Sequence, residues 1–211
     1  QNWANPAIAA RVFALFAWTK EMTTWHVPFI ADALATATPL GAAKTALTEK
    51  FGSGHITTSI LSSTFSGPME ILQSLPNDIL RTDVTYFNLF FGFKGGCIGE
   101  ISIFLLLIAA AYLVYRKIIT FEIPLFFIGT VALFAWIFDG LRYGMGFFSG
   151  DPLFHTLAGG LILGAFFCAT DMVTTPLTFL GRIIFAIGCG LLTIVIRMFS
   201  GLPEGVSLAI L

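Results

Sequence analysis

Charge is scarce in this chain. Lys, Arg, Asp and Glu together make up 11% of its 211 residues, where a soluble domain carries about 25%. What charge there is balances to a net −1, which excludes the basic footprint of a nucleic-acid binder and the polybasic patch of a membrane-surface protein. Cysteine is equally thin. Cys97, Cys168 and Cys189 are too few and too scattered for a disulfide framework, and none stands in a CxxC or metal spacing. Each reads as a small buried hydrophobe, and iron–sulfur ligation would need ligands from another chain. No histidine has a second ligand at i+4. No glycine-rich dinucleotide fingerprint follows a strand, and no internal repeat is visible.

Apolar residues fill the space that charge leaves. Hydrophobic residues reach 56%, Phe alone occurs 23 times, and mean hydropathy is +0.88. These values specify an integral membrane protein, all-α and polytopic. A span needs about 20 mainly apolar residues, and four stretches approach that: Cys97 to Tyr115, Phe121 to Phe138, Leu153 to Thr170 and Leu180 to Phe199. Residues 1–19 read as the end of an earlier helix. Residues 20–96 form a polar excursion, and residues 97–211 a transmembrane bundle of four full spans and the start of another. Gln1 is not an initiator Met, so the expectation is an internal piece of a longer membrane protein. Within the excursion, Pro39 to Phe51 has the spacing of a short amphipathic helix. Placing the excursion outside puts Arg116, Lys117 and Arg182 inside, a slight positive-inside bias.

A few residues stand out against this background. Glu100 heads one span, Asp171 follows another, and Glu204 precedes the last apolar segment. Ionisable groups near hydrocarbon are costly and often mark ion routes, although each also suits a helix-end acid. The Asp171-Met-Val-Thr-Thr-Pro run suits a broken-helix site or a tight turn. Gly159, Gly160, Gly164, Gly188 and Gly190 permit close helix approach. His26 and His155 read as interfacial hydrogen-bonders. Arg197 falls deep in the last full span, where it either snorkels or meets a partner on a neighbouring helix. Thr38 precedes Pro39, which pushes it out of the helical region and can open a helix. The plain reading is an N-cap. The sharper one is an accessible hydroxyl, flanked by small Ala35 and Ala37, at a helix end that favours phosphate.

Several runs, in order along nearly the whole chain, resemble one family. They are Asn5-Pro6-Ala7 with Arg11 and Phe13; Ala37-Thr38-Pro39-Leu40 with Lys44-Thr45; Gly95-Gly96-Cys97-Ile98-Gly99-Glu100; Gly164-Ala165-Phe166-Phe167 with Ala169-Thr170-Asp171; Val173 to Thr178; and Pro203-Glu204-Gly205. The chain resembles the D subunit of the Rnf ion-pumping ferredoxin:NAD oxidoreductase and the homologous B subunit of sodium-pumping NADH:quinone reductase. The Gly-Gly-Cys-Ile-Gly-Glu and Asp-Met-Val-Thr-Thr-Pro wording is closer to the Rnf side.

The resemblance implies a two-repeat helical bundle akin to ammonium and urea channels, of which this chain holds the second half. It implies FMN esterified through its phosphate to Thr38, with Thr36 as the fallback acceptor, and leaves room for a second, noncovalent flavin such as riboflavin. Ala35 departs from the Ser or Gly that the family often has three residues before the acceptor. A flavin transferase would make the bond on the extracytoplasmic side of the bacterial cytoplasmic (inner) membrane. The implied partners are a flavin-bearing G-type subunit, iron–sulfur subunits and A/E-type membrane subunits, with NADH and ferredoxin sites on those chains. The rival reading is a channel or carrier of the ammonium/urea type with no redox role, since fold does not fix function.

Overall fold

The computed structural model describes residues 4–24, 38–44, 67–74, 85–97, 99–142, 146–200 and 205–211, all helical or irregular with no strand among them. Helix α1 spans Pro6–Ala17 and α2 Thr19–Met22; residues 39–44 are helical (α3). Then come α4 Pro68–Ser74, α5 Tyr86–Phe91, α6 Ile103–Tyr115 and α7 Glu122–Arg142. The chain returns through α8 Pro152–Leu157, α9 Leu161–Leu163 and a π-helical turn Gly164–Cys168. It ends with α10 Phe179–Phe199 and α11 Val206–Ile210.

Local chemistry sets most of these starts. Asn5 caps α1, its side-chain oxygen accepting from the Ala7 and Ile8 amides, with Pro6 at the first helical position. Ser102 caps α6, Thr178 caps α10, and Asp151 with Pro152 opens α8 in the same way.

The helices α7 and α10 form the spine. They run parallel: Glu122 and Arg182 pair at 3.1 Å near their starts, Gly190 faces Thr130 midway, and both helices end beside His155. Phe127, Val131 and Ala135 pack with Leu161, Ala165, Ala169, Ala186, Cys189 and Ile194 in the main core. The opposite face of α10 carries Leu180, Ile184, Ile187, Leu191 and Val195, all exposed. An apolar stripe turned outward along the whole helix is the pattern of a lipid-facing surface. Association inside such a bundle comes from packing rather than from exclusion of water. These two helices are long and apolar enough to cross a membrane, and the described residues, helical or irregular, are consistent with an all-α membrane protein.

The other two long apolar stretches are interrupted. Cys97 to Tyr115 is helical only from Ile103, after Gly99 adopts φ +128°. Leu153 to Thr170 breaks at Ala158–Gly160, where Gly159 has φ +71°, and finishes as the π turn. A side chain with a Cβ is strained at both glycines. Backbone breaks at membrane depth survive only where protein or a cavity satisfies the freed polar groups.

Candidate functional site

The two interruptions face each other. Lys94, 4% exposed, donates from Nζ to the Leu157 carbonyl at 2.7 Å. Glu100, 2% exposed, has one carboxylate oxygen 3.4 Å from Arg11 Nη2; the other accepts from the Cys97 amide at 3.3 Å. The Cα of Gly160 passes so close that a Cβ there would collide with Glu100 Oε2. Arg11 also reaches Cys97 Sγ at 3.6 Å. The first break thus delivers an acid and a cation to the second. Glu100 is neither an ordinary cap nor a first-turn acid, since Ser102 takes the capping role.

Asp171 lies at the opposite end of α1 from α2. It accepts from Asn5 Nδ2 at 3.4 Å and from Thr174 Oγ1 at 3.3 Å, and its carbonyl takes Thr175 Oγ1 at 2.6 Å. The Asp171 run therefore forms a tight turn, and the helix break falls earlier, at Ala158–Gly160. Glu204 and Thr36 lie outside the described residues.

Thr38 caps α3. Its Oγ1 accepts from the Gly41 amide at 3.1 Å and its carbonyl from the Ala42 amide at 2.8 Å. The residue is buried, at 5% exposure, because Leu40, Ala42 and Ala43 pack against Leu89, Phe154 and Ala158 with Met69 and Leu157 beside them. Lys44 Nζ donates to the Ser200 carbonyl at 2.8 Å, which ties α3 to the end of α10. Close by, Met69 also lines an open cavity of about 590 Å³ with Glu70, Gln73, Tyr86, Asp151 and Leu153. Tyr86 donates to Asp151 Oδ2. Burial, then that bond and the charge of Asp151, raise the Tyr86 phenol above its ordinary value.

One constellation was not foreseen. Asp139 is wholly buried, and His155 Nε2 stands 3.1 Å from its Oδ1. Arg197, also fully buried, donates to the carbonyls of His155 at 2.5 Å and Ala158 at 3.2 Å. So His155 is a core residue rather than an interfacial one. Arg197 does not snorkel, and turns its guanidinium onto the broken end of α8. The available signal was Asp139 itself, an acid one residue past the expected span end, with a histidine across a short loop and an arginine at the end of the next span. All three thiols are free, Cys189 buried in the main core as expected. Among the described residues no group of His, Cys, Asp and Glu could hold a metal ion.

Comparison with known proteins covers the entire chain. The model of the NQR2, RnfD, RnfE family matches residues 1–211. The D subunit of a proton-translocating ferredoxin:NAD(+) oxidoreductase complex of Clostridium ljungdahlii is 42% identical over 100% of this chain and 56% of its own length. The corresponding D subunit of the Na(+)-translocating complex of Acetobacterium woodii is 40% identical over 100% of this chain and 54% of its own length. The D subunit of an ion-translocating oxidoreductase complex of Stutzerimonas stutzeri is 37% identical over 100% and 58%. The chain thus spans a little over half the length of these curated relatives.

Proposed function

The chain belongs to the NQR2, RnfD, RnfE family, and from that premise we propose that it is the flavin-bearing part of a membrane subunit in a redox-driven ion pump of the ferredoxin:NAD oxidoreductase kind. FMN, esterified through its phosphate to Thr38, relays electrons between partner subunits, and the complex couples that flow to movement of Na⁺ or H⁺. When bound, the flavin supplies the one- and two-electron chemistry; this chain supplies position, a dry surround and charge. The observation that carries the reading is the placement of Thr38, an oxygen at a helix start within a run that matches the family in order. The neighbouring cavity falls within the usual range of small-molecule sites, about 300–1,000 Å³, and supports room for a ring. Because Thr38 is covered by its own helix packing, the transferase must reach it before α3 docks on α5 and α8.

The ion route runs through the acids. Glu100 sits where the two interrupted spans meet, Asp171 marks the opposite end, and Glu204 completes the candidate set. Broken spans facing each other at depth are the usual setting of ion sites in transporters. They also support kinship with the ammonium/urea channel fold, and with it the rival reading as a carrier.

Denaturing electrophoresis of protein coexpressed with its transferase separates these readings. The wild-type band fluoresces under ultraviolet light, and the peptide containing Thr36 and Thr38 gains the mass of an FMN ester. Thr38→Val abolishes both signals while the chain remains inserted. A bright Thr38→Val band moves the bond to Thr36 or elsewhere. A dark wild-type band favours the carrier.

A further inference from the structure

We propose that Asp139 and His155 form a proton-binding site inside the bundle, one that takes up and releases a single proton as a unit and is distinct from Thr38, Glu100 and Asp171. Burial is the first support. Asp139, His155 and Arg197 are 0%, 2% and 0% exposed and come from three separate elements, α7, α8 and α10. Ionisable groups at membrane depth are costly, and they are kept where they are paired or functional. Three of them in one sealed spot exceed what closing the bundle requires, since apolar side chains such as Phe127, Val131, Leu161 and Ile194 pack the main core.

Geometry is the second support. Nε2 and Oδ1 stand 3.1 Å apart without the alignment of a hydrogen bond, close enough that a small turn of the imidazole or one bridging water joins them for proton transfer. The third is capacity left over. All four side-chain atoms of the pair, Asp139 Oδ1 and Oδ2 and His155 Nδ1 and Nε2, are sealed from solvent and make no hydrogen bond among the described residues. Buried polar atoms in that condition call for an explanation. A site that must change its proton count, with an internal water to join it, supplies one.

The charges balance in one state and not in the other. With His155 uncharged, Arg197 offsets Asp139 and the trio is neutral. A proton arriving from water forms one N–H or O–H bond within the pair and leaves by the reverse step; no electron or other group moves. Charged and titratable groups stand on the elements packed around the pair. Arg197 comes from α10. Asp151 and its partner Tyr86 stand at the start of α8. Lys94 holds the Leu157 carbonyl, and Lys44 holds Ser200 beyond the end of α10.

The test is an infrared pH titration of the full-length protein in its native membrane complex, from about pH 5 to about pH 9, the range in which histidine titrates. Difference spectra of Asp139→Asn and His155→Gln are each subtracted from wild type. The proposal expects both subtractions to reveal the same step, with carboxyl and imidazole bands changing together at one midpoint, and either variant to lose all of it. Two separate midpoints, or subtractions that leave no bands, overturn it. Should Asp139→Asn fail to assemble, Asp139→Glu takes its place and shifts the shared midpoint; an unmoved midpoint overturns the proposal. Repeating the titration in Thr38→Val separates it from the flavin reading, whose failure leaves these bands untouched.

Discussion

The carboxylate of Glu100 occupies space that exists only because residue 160 has no side chain. A Cβ at Gly160 would collide with Oε2, and Glu100 can yield only by leaving Arg11 and the Cys97 amide. Gly160→Ala therefore acts on the ion pair. It should destabilise by about 1–3 kcal/mol, the cost of stranding a buried polar group. The loss should be non-additive with Arg11→Gln, because both variants break one contact; thermal midpoints of the single and double variants check this. Tyr86 gives a prediction in pH. Its phenol is held above the ordinary 10.0 by burial, then by Asp151. Above about pH 10 the unfolded chain gives up that proton while the folded one keeps it, so stability falls as pH rises. Tyr86→Phe should flatten that alkaline decline in the thermal midpoint and lower the neutral plateau, where the bond to Asp151 is lost. Sequence alone marked Glu100, Asp171 and Thr38 because an acid in apolar surroundings or a Thr-Pro start is a local signal. Asp139 escaped notice because its partners, His155 and Arg197, are 16 and 58 positions away and meet it only through packing.

Glycines that look alike within one helix differ in what they permit. In α10, Gly190 lies against α7, where a Cβ would stand 2.7 Å from Thr130 Cβ and 3.0 Å from the Phe127 carbonyl oxygen, whereas Gly188 has nothing within 4 Å. Gly190→Ala must push the spine helices apart, which costs about 1–3 kcal/mol. Gly188→Ala should be neutral or stabilise by about 0.5–1 kcal/mol through helix propensity. A pair of thermal melts in lipid nanodiscs reads the contrast, and equal effects at the two positions would remove the parallel α7–α10 packing as the cause. The same limit governs what was legible for whole elements. Hydropathy located the spine helices within a few residues, because an unbroken apolar run has one stable form in lipid. The breaks at Gly99 and Gly159 were not located, since the flanking composition stays apolar and only the opposing backbone, with Lys94 on the Leu157 carbonyl, makes an interruption tolerable.

Polarity along the membrane normal ties these parts together. Thr38, the start of α8 and the ends of α7 and α10 gather at one face, through Phe154 packed under α3 and Lys44 on Ser200. The starts of α7 and α10, joined by Glu122 and Arg182, lie at the other face with the Asp171 turn that Asn5 contacts. Glu100 and Arg11 sit between. An electron carrier at the first face and an acid at the second would therefore be separated by the two interrupted spans, so that ion movement past Glu100 is charge movement across the bundle. Orientation follows from the reading that the flavin segment is extracytoplasmic. On a background free of other cysteines, Ser149→Cys, in the loop before α8, should react with a membrane-impermeant thiol reagent in right-side-out vesicles. Thr174→Cys, in the Asp171 turn, should react only in inside-out vesicles. Labelling of both from the same side would break the two-faced arrangement, and the reverse pattern would place the flavin in the cytoplasm.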